Sequence, residues 1–182
     1  MVIRRRNHTH HRPRAVLVHE FRPRDAATLA SWVGSAQEAF WLAPRSRPPL
    51  TADVIASWGQ PGGDRLTLRD PVNRALLAYG EVNPLSLARG SYWLGHLLVD
   101  PQCRGRGLGR ELTRALLQRA FEHHGARRVT LVVFRDNVAA IACYANAGMN
   151  ADGYETHHFP AYNRRERLLR MAISVDEWRL AR

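Results

Sequence analysis

The sequence predicts an α/β fold, with a mixed sheet of about seven strands flanked by helices on both faces. Three observations carry that expectation. Strand-like and helix-like segments follow one another in the order strand, helices, three strands, helix, strand, helix, two strands. Residues 91–100, SYWLGHLLVD, form the most apolar of the strand segments, as a central strand covered on both faces must. Between that strand and the next helix lies PQCRGRGLGR, whose glycines suit a tight connecting turn.

The elements follow in order. Residues 15–21, AVLVHEF, read as a first strand, and residues 22–41 as one or two helices with Asp25 as N-cap. Pro44, Pro48 and Pro49 interrupt the chain; Thr51 then caps a short helix through Trp58. A PGGD turn leads into residues 64–70, where Leu66 and Leu68 alternate with polar neighbours. Residues 74–83, RALLAYGEVN, make another strand before the apolar one. From Leu108, apolar side chains at 112, 116, 117, 120 and 121 recur at helical spacing, and Gly125 supplies the stop. Residues 127–134 are a β-branched strand, and a helix capped by Asp136 or Asn137 runs to Gly148. Residues 149–159 and 165–174 close the chain as a hairpin.

Chain length fits one domain over residues 15–182, preceded by a basic tail at 1–14. No apolar run approaches the eighteen or so residues of a membrane span, which predicts a soluble protein with no membrane partner. The net charge of +11 comes from arginine alone, since the chain has no lysine, a bias more typical of GC-rich coding than of a binding surface. Five of those arginines lie in residues 1–14, which have no acid and no signal-peptide core and read as disordered. No nucleic-acid reader motif accompanies the charge, so nucleic acid is not expected as a partner. Cys103 and Cys143 stand without CxxC spacing, which suggests neither disulfide nor zinc and suits a reducing cytoplasm.

The loop from Arg104 to Arg110 puts three glycines and three arginines into seven positions. Backbone N–H groups in such a turn converge on an anion, and the following helix adds unpaired donors and its positive dipole end. Phosphate suits both. The spacing is neither GxxxxGK[ST] nor GxGxxG, which excludes a P-loop and a Rossmann fingerprint. Arg104 to Gly109 instead fit R/Q-x-x-G-x-G/A, and Asn137, Ala140, Tyr144, Gly148 and Met149 fit N-x-x-A-x-x-x-Y-x-x-x-G-[FM]. On these two motifs the chain resembles the GNAT superfamily of acyl-CoA-dependent N-acetyltransferases. The likeness extends over residues 15–175 in element order, with its specific motifs between 97 and 149.

That resemblance implies the GNAT fold, in which the central strand splays from its neighbour and the pantetheine arm of acetyl-CoA pairs with the exposed edge. Leu97, Leu98 and Val99 would hold the arm and polarise the thioester carbonyl through backbone N–H. The amides of Arg104, Gly105, Arg106, Gly107, Leu108, Gly109 and Arg110 would bind pyrophosphate, with one of the three arginine side chains reaching its oxygens. Asn137 and Ala140 match cofactor-contacting positions, although Asn137 serves equally as a helix cap. Tyr144 matches the general acid that protonates the departing thiolate. The acceptor amine must lose a proton, for which Glu81 is the first candidate and His96 the second. No metal enters this chemistry.

The resemblance leaves the acceptor open: an amine-bearing small molecule, a protein N-terminus or a lysine. Trp32, Trp41, Trp58, Tyr92 and Trp93 at the front, and Tyr154, His157, His158, Phe159 and Tyr162 at the end, could line its pocket or a homodimer interface. Arg164, Arg165, Arg167 and Arg170 make the last strand basic, favouring a neutral or acidic acceptor over a polycation if they border the site. The leading expectation is transfer by direct attack in a ternary complex, with neither cysteine as nucleophile. The alternative is a regulatory acyl-CoA-binding protein without turnover.

Overall fold

The computed structural model describes residues 15–181; the basic stretch at 1–14, expected to be disordered, lies outside them. Seven strands form one sheet: β1 (Leu17–Glu20), β2 (Asp64–Arg69), β3 (Leu76–Ser86), β4 (Ser91–Val99), β5 (Arg128–Val133), β6 (Asn150–Phe159) and β7 (Arg164–Ser174). Their order is β1-β2-β3-β4-β5-β7-β6, so the most apolar strand is the central one. The β4–β5 pair is parallel and the other neighbours are antiparallel.

Among the described residues six α-helices flank the sheet: α1 (Ala26–Ser31), α2 (Ala36–Leu42), α3 (Ala52–Ala56), α4 (Leu108–Gln118), α5 (Val138–Asn146) and α6 (Val175–Leu180). On one face α4 buries Leu108, Leu112, Leu116 and Leu117 against the sheet, the stripe its periodicity predicts. Full burial of each such leucine stabilises the fold by about 1.5–3 kcal/mol. The fit is close at β3, where a Cβ on Gly80 would stand 2.8 Å from Leu116 Cδ1. On the other face α1 and α3 pack Leu29 and Ile55 against Tyr79 and Leu98.

Local signals account for most boundaries. Thr51 accepts from the Val54 N–H at 3.3 Å and starts α3, and Asn137 accepts from the Ala140 N–H at 3.2 Å and starts α5. Asp25 departs from expectation: its carboxylate does not cap α1 but accepts from the Arg22 N–H and pairs with Arg69 of β2. A tertiary partner outcompetes the local cap. The chain also does not close with the β6–β7 hairpin, since Ser174 and Glu177 form a capping box that starts α6 and Trp178 stacks on Phe121.

Candidate active site

The sheet opens at its centre. β4 pairs with β5 only from Ser91 to Trp93, opposite Arg128 to Thr130, while β5 stays paired with β7 as far as Val133. The edge of β4 beyond Trp93 therefore faces a gap, and a cavity of about 1760 Å³ fills it. Its walls include His96 to Val99, the whole loop from Arg104 to Arg110, Asn137, Ala140 and Tyr144. Of the expected site residues, Glu81 alone does not line it.

A bulge places His96. Tyr79 pairs with Leu98 and Glu81 with Gly95, so β4 spends three steps where β3 takes two, and His96 takes φ 48°. Strict alternation would send the His96 side chain to the face opposite Glu81. The bulge turns it back, and Nδ1 lies 3.0 Å from Glu81 Oε1. Glu81 is buried and its acceptors are occupied: Tyr79 Oη donates to Oε1 at 2.6 Å and Asn83 Nδ2 to Oε2 at 3.0 Å. The Gln60 N–H in turn donates to Asn83 Oδ1 at 3.1 Å, which fixes the orientation of that amide. Burial alone would raise the Glu81 carboxyl, yet the hydrogen bond and charge of His96, with donations from Tyr79 and Asn83, hold it below the ordinary carboxylate value.

An ionised Glu81 only accepts, so in a neutral His96 the Nδ1 carries the hydrogen and Nε2 keeps its lone pair. His96 borders the cavity, and Glu81, the first candidate by sequence for the proton acceptor, stands behind it. Trp58 stacks on the imidazole at 4.0 Å, and Trp93 meets it edge-on at 6.4 Å. The Trp93 indole lies over its own strand, where a Cβ on Gly95 would come 2.0 Å from Cζ3.

The phosphate-suited end is built differently at each glycine. Gly105 and Gly107 hold φ 74° and 80°, left-handed values that disfavour other residues. Gly109 is needed for contact: a Cβ there would stand 2.8 Å from Cys143 Sγ, where α4 meets α5. The first turn of α4 has no side-chain cap, and its residues Leu108, Gly109 and Arg110 border the cavity. Arg104 is held by Glu38 of α2 and the Val99 carbonyl, and Arg110 by Glu111, whereas Arg106 has no carboxylate partner among the described residues. Burial would raise the Glu38 carboxyl, but Arg104 and the Gly34 N–H bring it below its usual value.

Tyr144 borders the same cavity from α5, and its hydroxyl donates no hydrogen bond within the protein among the described residues. Burial first, and the neighbouring Cys143 second, push the phenol above its ordinary value, so it keeps its proton at neutral pH. Cys143 also borders the cavity, with its thiol raised by burial; Cys103 does not reach it. Of the ten aromatic and histidine positions expected near an acceptor, Trp41, Trp58, Trp93, His157 and Phe159 line the cavity and the rest do not. Arg170 alone of the basic last strand borders it, paired with Asp152 and Glu155. Sequence reasoning missed Tyr79, Asn83 and Glu38; the first two were signalled by polar residues at 79, 81 and 83, every second position of one strand.

Comparison with known proteins adds the following. The sequence model described as the Acetyltransferase (GNAT) family fits residues 29–149. Spermine/spermidine N(1)-acetyltransferase of Bacillus subtilis is 33% identical over 64 residues, 35% of this chain and 42% of that protein. Mycothiol acetyltransferase of Salinispora arenicola is 31% identical over 150 residues, 75% of this chain and 45% of that protein. The chain thus spans less than half the length of these curated relatives. Spermidine N-acetyltransferase from Vibrio cholerae, solved with CoA and spermine, superposes with a TM-score of 0.74 at 16% identity, over 90% of this chain and 97% of that one.

Proposed function

The chain belongs to the GNAT acetyltransferase family, and from that premise we propose that it is an N-acetyltransferase that moves an acetyl group from acetyl-CoA to a primary amine in a ternary complex. The observation that carries this reading is the cavity itself, which brings an oriented imidazole, an open strand edge, an uncapped helix start and a protonated phenol to one space. These residues fit acetyl-CoA. The left-handed turn at Gly105 and Gly107 and the first amides of α4 would receive its pyrophosphate, with Arg106 the side chain free to join them. The edge of β4 from Leu97 to Val99 would pair with the pantetheine arm.

When bound, acetyl-CoA supplies an acyl group activated as a thioester. His96 Nε2 takes the ammonium proton of the acceptor, because an amine without a lone pair cannot attack. Glu81 fixes the ring and stabilises the imidazolium through Nδ1–H, and Tyr79 and Asn83 fix Glu81. Tyr144 Oη gives its proton to the leaving sulfur. Carbon–nitrogen bond formation would thereby be matched by carbon–sulfur cleavage, the nitrogen's second proton passing to the Tyr144 oxygen that has given its own to sulfur, with neither cysteine entering a covalent step. Two free thiols support a reducing, cytoplasmic setting, and among the described residues no helix is long and apolar enough to cross a membrane. The test is thiol release from acetyl-CoA across a panel of amines. Turnover with one amine class is expected; calorimetric binding of acetyl-CoA without thiol release from any amine would favour the regulatory alternative.

A further inference from the structure

Three glutamates line the cavity, and each already has a cationic partner: Glu38 holds Arg104, Glu111 holds Arg110, and Glu155 holds His157 and Arg170. Five arginines line it as well; Arg104, Arg110 and Arg170 have carboxylate partners, Arg106 is given to the pyrophosphate in the reading above, and Arg45 has no carboxylate partner among the described residues. Among the described residues, every carboxylate lining the cavity is thus already paired. A polyamine would bring charges beyond the reacting one into this wall, and a charge taken out of water without a partner is costly.

Around His96 the wall is aromatic instead. Trp58 covers one face of the imidazole, Trp93 stands edge-on, and Trp41, Phe134 and Phe159 border the same cavity. Ring faces attract a single ammonium before it is deprotonated, and they bury an apolar body after it. The Trp93 indole lies over Gly95, in the space a side chain at position 95 would need. We infer that the acceptor is a monocationic primary amine with an aromatic or branched apolar body, received at the Trp58–Trp93 wall beside His96, and that polyamines are poor acceptors. The inference rests on the transfer reading above and narrows its substrate class.

Calorimetric titration of 2-phenylethylamine and of spermidine into the protein saturated with CoA, beside thiol release with the same amines, tests it. The arylamine is expected to bind at least about ten-fold more tightly and to react with at least about ten-fold higher kcat/KM, because a tenfold preference corresponds to about 1.4 kcal/mol of cation–π and apolar contact. Trp93→Ala should reduce that preference to roughly three-fold or less without changing CoA affinity, and Trp93→Phe, which keeps a ring over Gly95, should lose less. Equal or tighter binding of spermidine overturns the inference, as does absence of binding by either amine or a preference that survives loss of Trp93. The expected order of affinities, with no thiol release from these two amines or from any other of the panel, supports the recognition site and defeats the transfer reading.

Discussion

His96 sits in a left-handed conformation that costs a residue with a Cβ about 1–2 kcal/mol, and the return is a ring turned onto Glu81. Glu81→Gln shows how tightly that arrangement is specified. The new amide must set an N–H against the Tyr79 hydroxyl and His96 or against Asn83, and Asn83 cannot turn without losing the Gln60 N–H. A loss of about 1–3 kcal/mol in stability, read from urea melts at neutral pH, is expected. The acid limb gives the sign of the charge effect. Glu81 lies below its ordinary value in the folded protein, so its contribution is complete above about pH 4.3 and fades as pH falls through the lower folded value. Wild-type stability should fall more steeply than that of Glu81→Gln over that acid range. At Tyr144 the expectation is kinetic: Tyr144→Phe should lower kcat by about 10²-fold with CoA affinity unchanged, and an unaltered kcat rules out the acid role.

Elements explain why the helix starts are placed so finely. α4 approaches α5 only because position 109 has no side chain, so Gly109→Ala must push the Cys143 thiol or separate the helices. We expect Gly109→Ala to cost about 1–3 kcal/mol, with Cys143→Ala recovering at least half of it in a thermal double-mutant cycle. Additive effects would place the strain elsewhere. Legibility in the sequence divides along the same line. The seven strands, the α4 stripe, the Thr51 and Asn137 caps and the glycine loop could be read because each is written in neighbours a few residues apart. The bulge at His96 could not, since it is a matter of register between two strands. Nor could the Arg104–Glu38 tie, which joins residues 66 apart in sequence, or the diversion of Asp25 to Arg69, 44 apart. Sequence order ranked Glu81 above His96 because nothing local says which of two residues on paired strands faces a cavity.

For the whole molecule, the opening between β4 and β5 sits where the sheet would otherwise be continuous, so a ligand that fills it joins two halves that the backbone leaves apart. Binding should therefore register as global stability. CoA at about a hundred times its dissociation constant should add about 2.7 kcal/mol, a rise in Tm of roughly 5–10 °C for a chain of this size. An unchanged Tm at saturating CoA would show that the cavity does not take it. The charge of the cavity wall acts at this scale too, because the paired glutamates leave a field that favours the anionic end of a cofactor over a polycationic acceptor.

The stack of Trp58 on His96 also makes the protein its own optical instrument. An imidazolium in van der Waals contact with an indole quenches its fluorescence more than a neutral imidazole does. Protonation at the centre of the site is thus written into the emission of one tryptophan, which Trp58→Phe would subtract. Arrival of an amine beside the ring would be visible as light before any product had formed.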